Sequence, residues 1–149
     1  MSVSTDTTVQ RESPEIRATV VEFCRRMLAG EADEANDLIS RDPAMLMIGS
    51  AGEWLQDQDA LRSGRLPPGE GLEAGPAPLA YELGDVGWYA DQPTWVFADG
   101  SRAQMRMTAV LAREAAGWRI VHAHLSVAVP DDECVMLQRR WAFGIPAPQ

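Results

Sequence analysis

Trp118-Arg119-Ile120-Val121-His122-Ala123-His124-Leu125-Ser126 decides the fold, because it reads as a long strand paired through a tight Ala115-Ala116-Gly117 turn with residues 101–114. Strand side chains alternate between faces, so His122 and His124, the two histidines of the chain, share one face. With Ala115-Ala116 as the turn, Glu114 opposes Gly117. A straight ladder then sets Met107 opposite His124, Ala109 opposite His122 and Met105 opposite Ser126. In that register the histidines and Ser126 sit among methionines on a largely apolar wall suited to a ligand pocket, while Arg106, Thr108 and Val110 occupy the other face. A turn of different length re-pairs both faces.

Upstream, 79–90 and 94–98 are rich in aromatic and β-branched residues and read as strands. Ala98-Asp99-Gly100-Ser101 carries the Asp-Gly signal of a two-residue type I′ hairpin, so at least four strands form a meander. Before them, Ser13-Pro14-Glu15 is a helix start, with a capping hydroxyl, a proline at the first position and an acid in the first turn. Ile16, Val20, Phe23, Cys24, Met27 and Leu28 follow at helical spacing, and Gly30 supplies the stop. A shorter, more polar helix is expected over 31–39, a short buried strand over 44–48, and a third helix carrying Trp54 over 53–62. Residues 66–78, rich in Pro, Gly and Glu, predict a loop, and 131–140 a closing helical turn or two. The expected organisation is a flexible tail over 1–12, one α+β domain over 13–140 and a C-terminal tail over 141–149.

The 149 residues and 16.3 kDa suit a single domain. Twenty-two acidic against 13 basic residues leave a formal charge of -9, which disfavours nucleic acid and anionic membrane as partners. No apolar run approaches the length of a membrane span, and the N-terminus lacks the pattern of a secretory leader. With two cysteines, Cys24 on an apolar helix face, the expected setting is a reducing cytoplasm. No metal spacing and no cofactor motif stands out.

The chain resembles the nuclear transport factor 2 superfamily, in the SnoaL-like branch related to ketosteroid isomerase and to the calmodulin-dependent kinase association domain. The resemblance spans about residues 14–129. It is carried by Ile48-Gly49-Ser50-Ala51-Gly52-Glu53-Trp54, Gly84-Asp85-Val86-Gly87-Trp88, Arg106-Met107-Thr108-Ala109-Val110-Leu111 and the strand from Gly117 to Ser126. It implies a cone-shaped roll of N-terminal helices on a curved, mostly antiparallel sheet, a conical cavity and frequent dimers, with many chemistries among the members.

In that setting His124 is a candidate polar anchor or acid/base, since the matching His in similar proteins commonly points into the cavity. Ser126, Met107 and His122 would stand beside it, with Trp54, Trp88 and Tyr89 as lining. Arg106 is a cation in need of a partner, either Asp85, Glu82 or an anionic group of a ligand. Asp85 reads either as a general base in apolar surroundings or as a bulge or turn residue between Gly84 and Gly87. The buried acid pair of a ketosteroid-isomerase-like site is not found. Two functions follow. One is a homodimer whose cavity binds a small, largely apolar molecule and, if catalytic, performs cofactor-free isomerase, cyclase or hydratase chemistry. The other is an association module, its cavity filled by its own side chains and its outer sheet face, with Trp95, Phe97 and Val110, pairing with a second copy.

Overall fold

A computed structural model describes residues 9–144. The chain starts with strand β1 (Arg11–Glu12) and helix α1 (Pro14–Leu28). Helix α2 (Ala32–Asn36), strands β2 (Leu46–Ile48) and β3 (Trp54–Leu55) and helix α3 (Gln58–Ser63) follow. Then come β4 (Gly71–Glu73), β5 (Leu79–Leu83), β6 (Val86–Asp91), β7 (Thr94–Val96), β8 (Arg102–Glu114), β9 (Gly117–Val127) and helix α4 (Asp131–Arg140).

Helix α1 forms as its sequence dictates. Ser13 caps it by accepting a bond from the Ile16 N–H at 3.2 Å, and Pro14 opens the first turn. Ile16, Val20 and Cys24, four residues apart, are fully buried against one face of the sheet. At Gly87 the helix comes so close that an added Cβ would collide with Ile16 and with the Tyr81 carbonyl.

The sheet runs β1-β5-β6-β8-β9-β2-β3, antiparallel except where β2 lies parallel to β9. Along one edge the long strand β8 serves two partners, β7 beside its first residues and β6 beside later ones, and β9 takes its other edge. Consequently β6 and β7, adjacent in sequence, do not pair with each other among the described residues. They continue one another along β8, interrupted at Gln92-Pro93, where the buried proline has no N–H for the ladder. The inner face, under α1, is built from Ala80, Tyr89, Met107, Ala109, Leu111 and Ile120.

Several expectations change. Residues 53–62 are not one helix: Trp54 and Leu55 pair with β2, and helix begins only at Gln58, behind an Asp57 cap. The expected loop contains β4, which pairs with β7. The expected long strand over 79–90 is a hairpin, turned at Gly84-Asp85 with Gly84 at φ +62°. The Asp99-Gly100 connection is one residue longer than the two-residue form. Phe97 bonds to Ser101 and Gly100 sits at φ +85°, the three-residue loop in which glycine takes the left-handed position. Asp99 stabilises it by accepting from the Ser101 N–H at 2.8 Å and hydroxyl at 2.6 Å. At the N-terminus Arg11 and Glu12 belong to the sheet, and residues 1–8 and 145–149 of the two expected tails lie outside the described residues.

The decisive change is in the final hairpin. Glu114 does oppose Gly117, and Leu111 opposes Ile120, as a straight ladder requires. One residue further, Val110 pairs with His122, leaving Val121 as the extra residue of a β-bulge. Beyond it every pairing is displaced by one: Thr108 opposes His124 and Arg106 opposes Ser126. A one-residue slip exchanges the faces. His122, His124 and Ser126 therefore stand on the outer face with Arg106, Thr108 and Val110, and Met107 and Ala109 stand on the inner face opposite Leu125 and Ala123. The bulge lies where the far edge of β9 changes partner, since Ile120 bonds to Leu38 and Ser40, and His122 to His124 pair with β2.

Candidate functional site

The outer face of the sheet is uncovered by any element of the chain among the described residues. The bulge aligns its side chains in cross-strand rows. One row is Tyr81, Trp88, Val110, His122 and Leu46, and the next is Ala90, Thr108, His124, Ile48 and Trp54. Tyr81 and Trp88 stack at 5.9 Å between ring centroids. Val110 is 38% exposed, Trp54 60%, and Leu79, Leu83 and Val86 toward the β5–β6 edge are exposed as well. A face this apolar and this open is unusual for a protein carrying a formal charge of -9.

Arg106, Arg119, His122 and His124 belong to this face, and the outward positions of β5, β6, β9 and β2 carry no carboxylate, while Glu12 on β1 and Glu114 at the end of β8 stand at its margins. His122 is half-buried, and its Nδ1 stands 2.9 Å from the Leu46 carbonyl. A carbonyl only accepts, so that nitrogen carries a proton. His124 and Arg106 are exposed.

The expected cavity residues are thus divided between the two faces. Tyr89 and Met107 are in the core, packed under α1. Trp88, Arg106, His122, His124 and Ser126 are outside, and Trp54 lies at the sheet edge on β3. The inward projection expected for His124 is overturned by the bulge. Arg106 does not pair with Asp85 or Glu82, since those carboxylates take other cations. Asp85 occupies the β5–β6 turn with an 85% exposed side chain, 3.4 Å from Arg113, so the apolar surroundings expected of a general base are missing. Glu82 is buried, accepts from Ser13 Oγ at 2.7 Å and Arg11 Nε at 2.6 Å, and lies 3.6 Å from Arg113. Burial raises its carboxyl, but these bonds and the two guanidinium charges outweigh burial and hold it below the usual carboxylate range.

Two polar features escaped the sequence reading. On the inner face, Tyr89 donates to Asp91 Oδ2 at 2.7 Å, and Asp91 also accepts from the Gly75 and Gln92 N–H groups. Burial and this bond push the Tyr89 phenol well above its ordinary value, and burial, with Asp91 nearby, pushes the Cys24 thiol up to about 12. Asp91 is a tie between the 74–78 loop and the sheet, with its acceptors occupied by backbone. Separately, a polar cleft of about 380 Å³ lies between α2 and α3, lined by Asp33, Asp37, Arg41, Arg62 and Arg65 among others. Its arginines are partly committed, Arg65 to Asp33 at 2.6 Å. Among the described residues no three His, Cys, Asp or Glu are grouped to hold a metal ion.

The family model of the SnoaL-like domain matches residues 16–130, most of the chain. The chain belongs to the SnoaL-like domain family. No curated protein matches the sequence. Solved structures share the fold. An NTF2-like protein with a cystatin-like fold from Novosphingobium aromaticivorans is 14% identical, with TM-score 0.65 over 87% of this chain and 88% of that one. A DUF3225-family protein of unknown function from Pectobacterium atrosepticum is 18% identical, with TM-score 0.64 over 85% and 94%. A Thiobacillus denitrificans protein assigned as a calcium/calmodulin-dependent protein kinase type II association domain is 22% identical, with TM-score 0.60 over 80% and 99%. At these identities the likeness is one of fold. No helix of this SnoaL-like domain among the described residues is long and apolar enough to cross a membrane.

Proposed function

We propose that this SnoaL-like domain is an association module that forms a homodimer by laying the outer faces of two sheets together. One observation carries the reading: the bulge at Val121 brings His122 and His124 onto the same open, largely apolar face as Trp88 and Val110, a face that lacks carboxylates on most of its strands. Two copies at -9 repel each other at most orientations, and contact through this face keeps their acidic surfaces apart. A twofold interface is self-complementary, which suits a sheet whose apolar rows cross the whole face. The fold shared with an association domain supports the same reading. In it His122, His124 and Arg106 are interface residues. A small-molecule role for the module would rest on the polar cleft at α2 and α3, whose lining does not suit the largely apolar ligand first expected.

Light scattering after size-exclusion chromatography tests this. The chain is expected at about twice its 16.3 kDa, and Val110→Glu, a change at an exposed strand position, at the monomer mass with an unchanged circular dichroism spectrum. A wild-type monomer at tens of micromolar, or a Val110→Glu dimer as tight as the wild type, removes the proposal.

A further inference from the structure

Both histidines of the chain stand on the outer sheet face, on alternate residues of β9 just past the bulge. In their rows His122 lies between Val110 and Leu46, and His124 between Thr108 and Ile48. Their nearest charged neighbours along the strands are cations. Arg106 on β8 is diagonal to His124 across the Arg106–Ser126 rung, and Arg119 precedes both histidines on β9. The carboxylates on this side of the sheet keep to its margins. Glu114, four positions along β8 from Val110 and so about 13 Å away, accepts from Ser40 Oγ at 2.7 Å. Glu73 on β4 takes Arg102 at 2.8 Å, Glu53 beside Trp54 takes the Ala51 N–H, and Glu12 belongs to the edge strand β1. The remaining titratable group of the two histidine rows is the phenol of Tyr81.

We infer that the His122–His124 pair makes the homodimer sensitive to pH: acidification through the imidazole range drives the two copies apart. This rests on the face-to-face dimer proposed above and names how it is regulated. Whichever of β5, β6, β9 or β2 of the second copy the imidazoles meet, its outward positions carry no carboxylate, and those of β8 carry one only at its end, in Glu114. Neutral imidazole suits such a contact, with the Leu46 carbonyl accepting one ring N–H of His122 at 2.9 Å. Imidazolium does not. It would be a desolvated cation among guanidinium groups and apolar side chains, a cost that the separate monomer avoids by leaving the ring in water. Proton uptake therefore favours dissociation. The rest of the surface pulls the other way. Each copy carries -9 at neutral pH, and approach to the pI near 4.6 weakens the repulsion between copies, so without the histidines acidification tightens the dimer.

Sedimentation equilibrium between pH 7 and pH 5.5 reads the sign, with circular dichroism as the check that the fold persists. With an ordinary imidazole value of about 6.5, each ring kept neutral in the dimer multiplies the dissociation constant about eightfold over that range, so one symmetric pair gives about 70-fold. The double variant His122→Asn/His124→Asn keeps an amide N–H for the Leu46 carbonyl and is expected to remain dimeric at pH 7, with a constant that holds or falls on acidification. NMR titration of the imidazole C–H signals supplies a measure free of substitution: well above the dissociation constant, at least one histidine should titrate lower than in the dilute, monomeric protein. A wild-type constant that is flat or falls on acidification, a rise that survives in the double variant, or histidines that titrate alike at both concentrations overturns the switch while leaving the face-to-face dimer standing. A wild type that is monomeric at every pH, or a dimer that persists in Val110→Glu, ends both.

Discussion

Glu82→Gln tests the anchor that holds β1 and the start of α1 on the sheet. Glu82 is 5% exposed and accepts from a fully buried Ser13 hydroxyl at 2.7 Å and from Arg11 at 2.6 Å. Glutamine keeps the volume and one acceptor, so what is lost is the charge. A hydrogen bond to a charged group contributes about 1.5–3 kcal/mol and a neutral one about 0.5–1.5, which makes the difference at Ser13 about 1 kcal/mol. Arg11 and Arg113 have side chains 59% and 44% exposed, so water screens them and together they add less than about 1 kcal/mol. The expected loss at pH 7 is about 1.5 kcal/mol, or about 3–6 °C in Tm for a chain of 149 residues. The folded carboxyl is held below its ordinary value of 4.5, so its stabilisation is present above that value and is lost as pH falls through the lower, folded one. Glutamine does not titrate. The gap between the thermal melts of the two proteins should therefore narrow as pH falls from 4.5 toward 3. A gap that widens on acidification, or none at pH 7, would refute the account of Glu82 as a buried, cation-held carboxylate.

Gly87→Ala places a methyl against Ile16 and 2.6 Å from the Tyr81 carbonyl, which the sheet ladder keeps from retreating. It should cost about 1–3 kcal/mol in urea denaturation, partly recovered when Ile16→Val is added. Tyr89→Phe removes a 2.7 Å donor from buried Asp91 and should cost about 1–3 kcal/mol by the same measurement. A thiol-disulfide reagent at pH 8 should titrate Cys134 quickly in the native protein and reach Cys24, its thiol pushed up to about 12, only after unfolding in guanidinium. Equal native rates would contradict the burial of Cys24.

Helix α1 was legible because every local signal agreed: cap, proline, acidic first turn and apolar spacing all fall within residues 13–28. The final hairpin was legible down to its turn, since Glu114 opposes Gly117 as read. The orientation of the site was not. A bulge leaves no mark in Ile120-Val121-His122, whose residues suit either a straight or an interrupted strand, and the cause is tertiary: segment 38–40 and β2 both bond to β9 on either side of it. Trp54 was misread as helical because its pairing partner, Ile48, precedes it across a turn that contains no Asn-Gly or Asp-Gly signal. The role of Glu82 was hidden for a related reason. Its cations arrive from residues 11 and 113, distances in sequence that no local pattern reveals.

Val121 also bears on how members of this family are compared. Two chains with the same strand sequence, one holding a spare residue mid-strand and the other not, keep their alternation on paper yet present inverted surfaces beyond that point. An alignment drawn without a gap there hands an imidazole that greets solvent the duties of one that lines an interior. For this chain, inheritance of roles past Ile120 has to be counted from the Val110–His122 rung rather than from the turn.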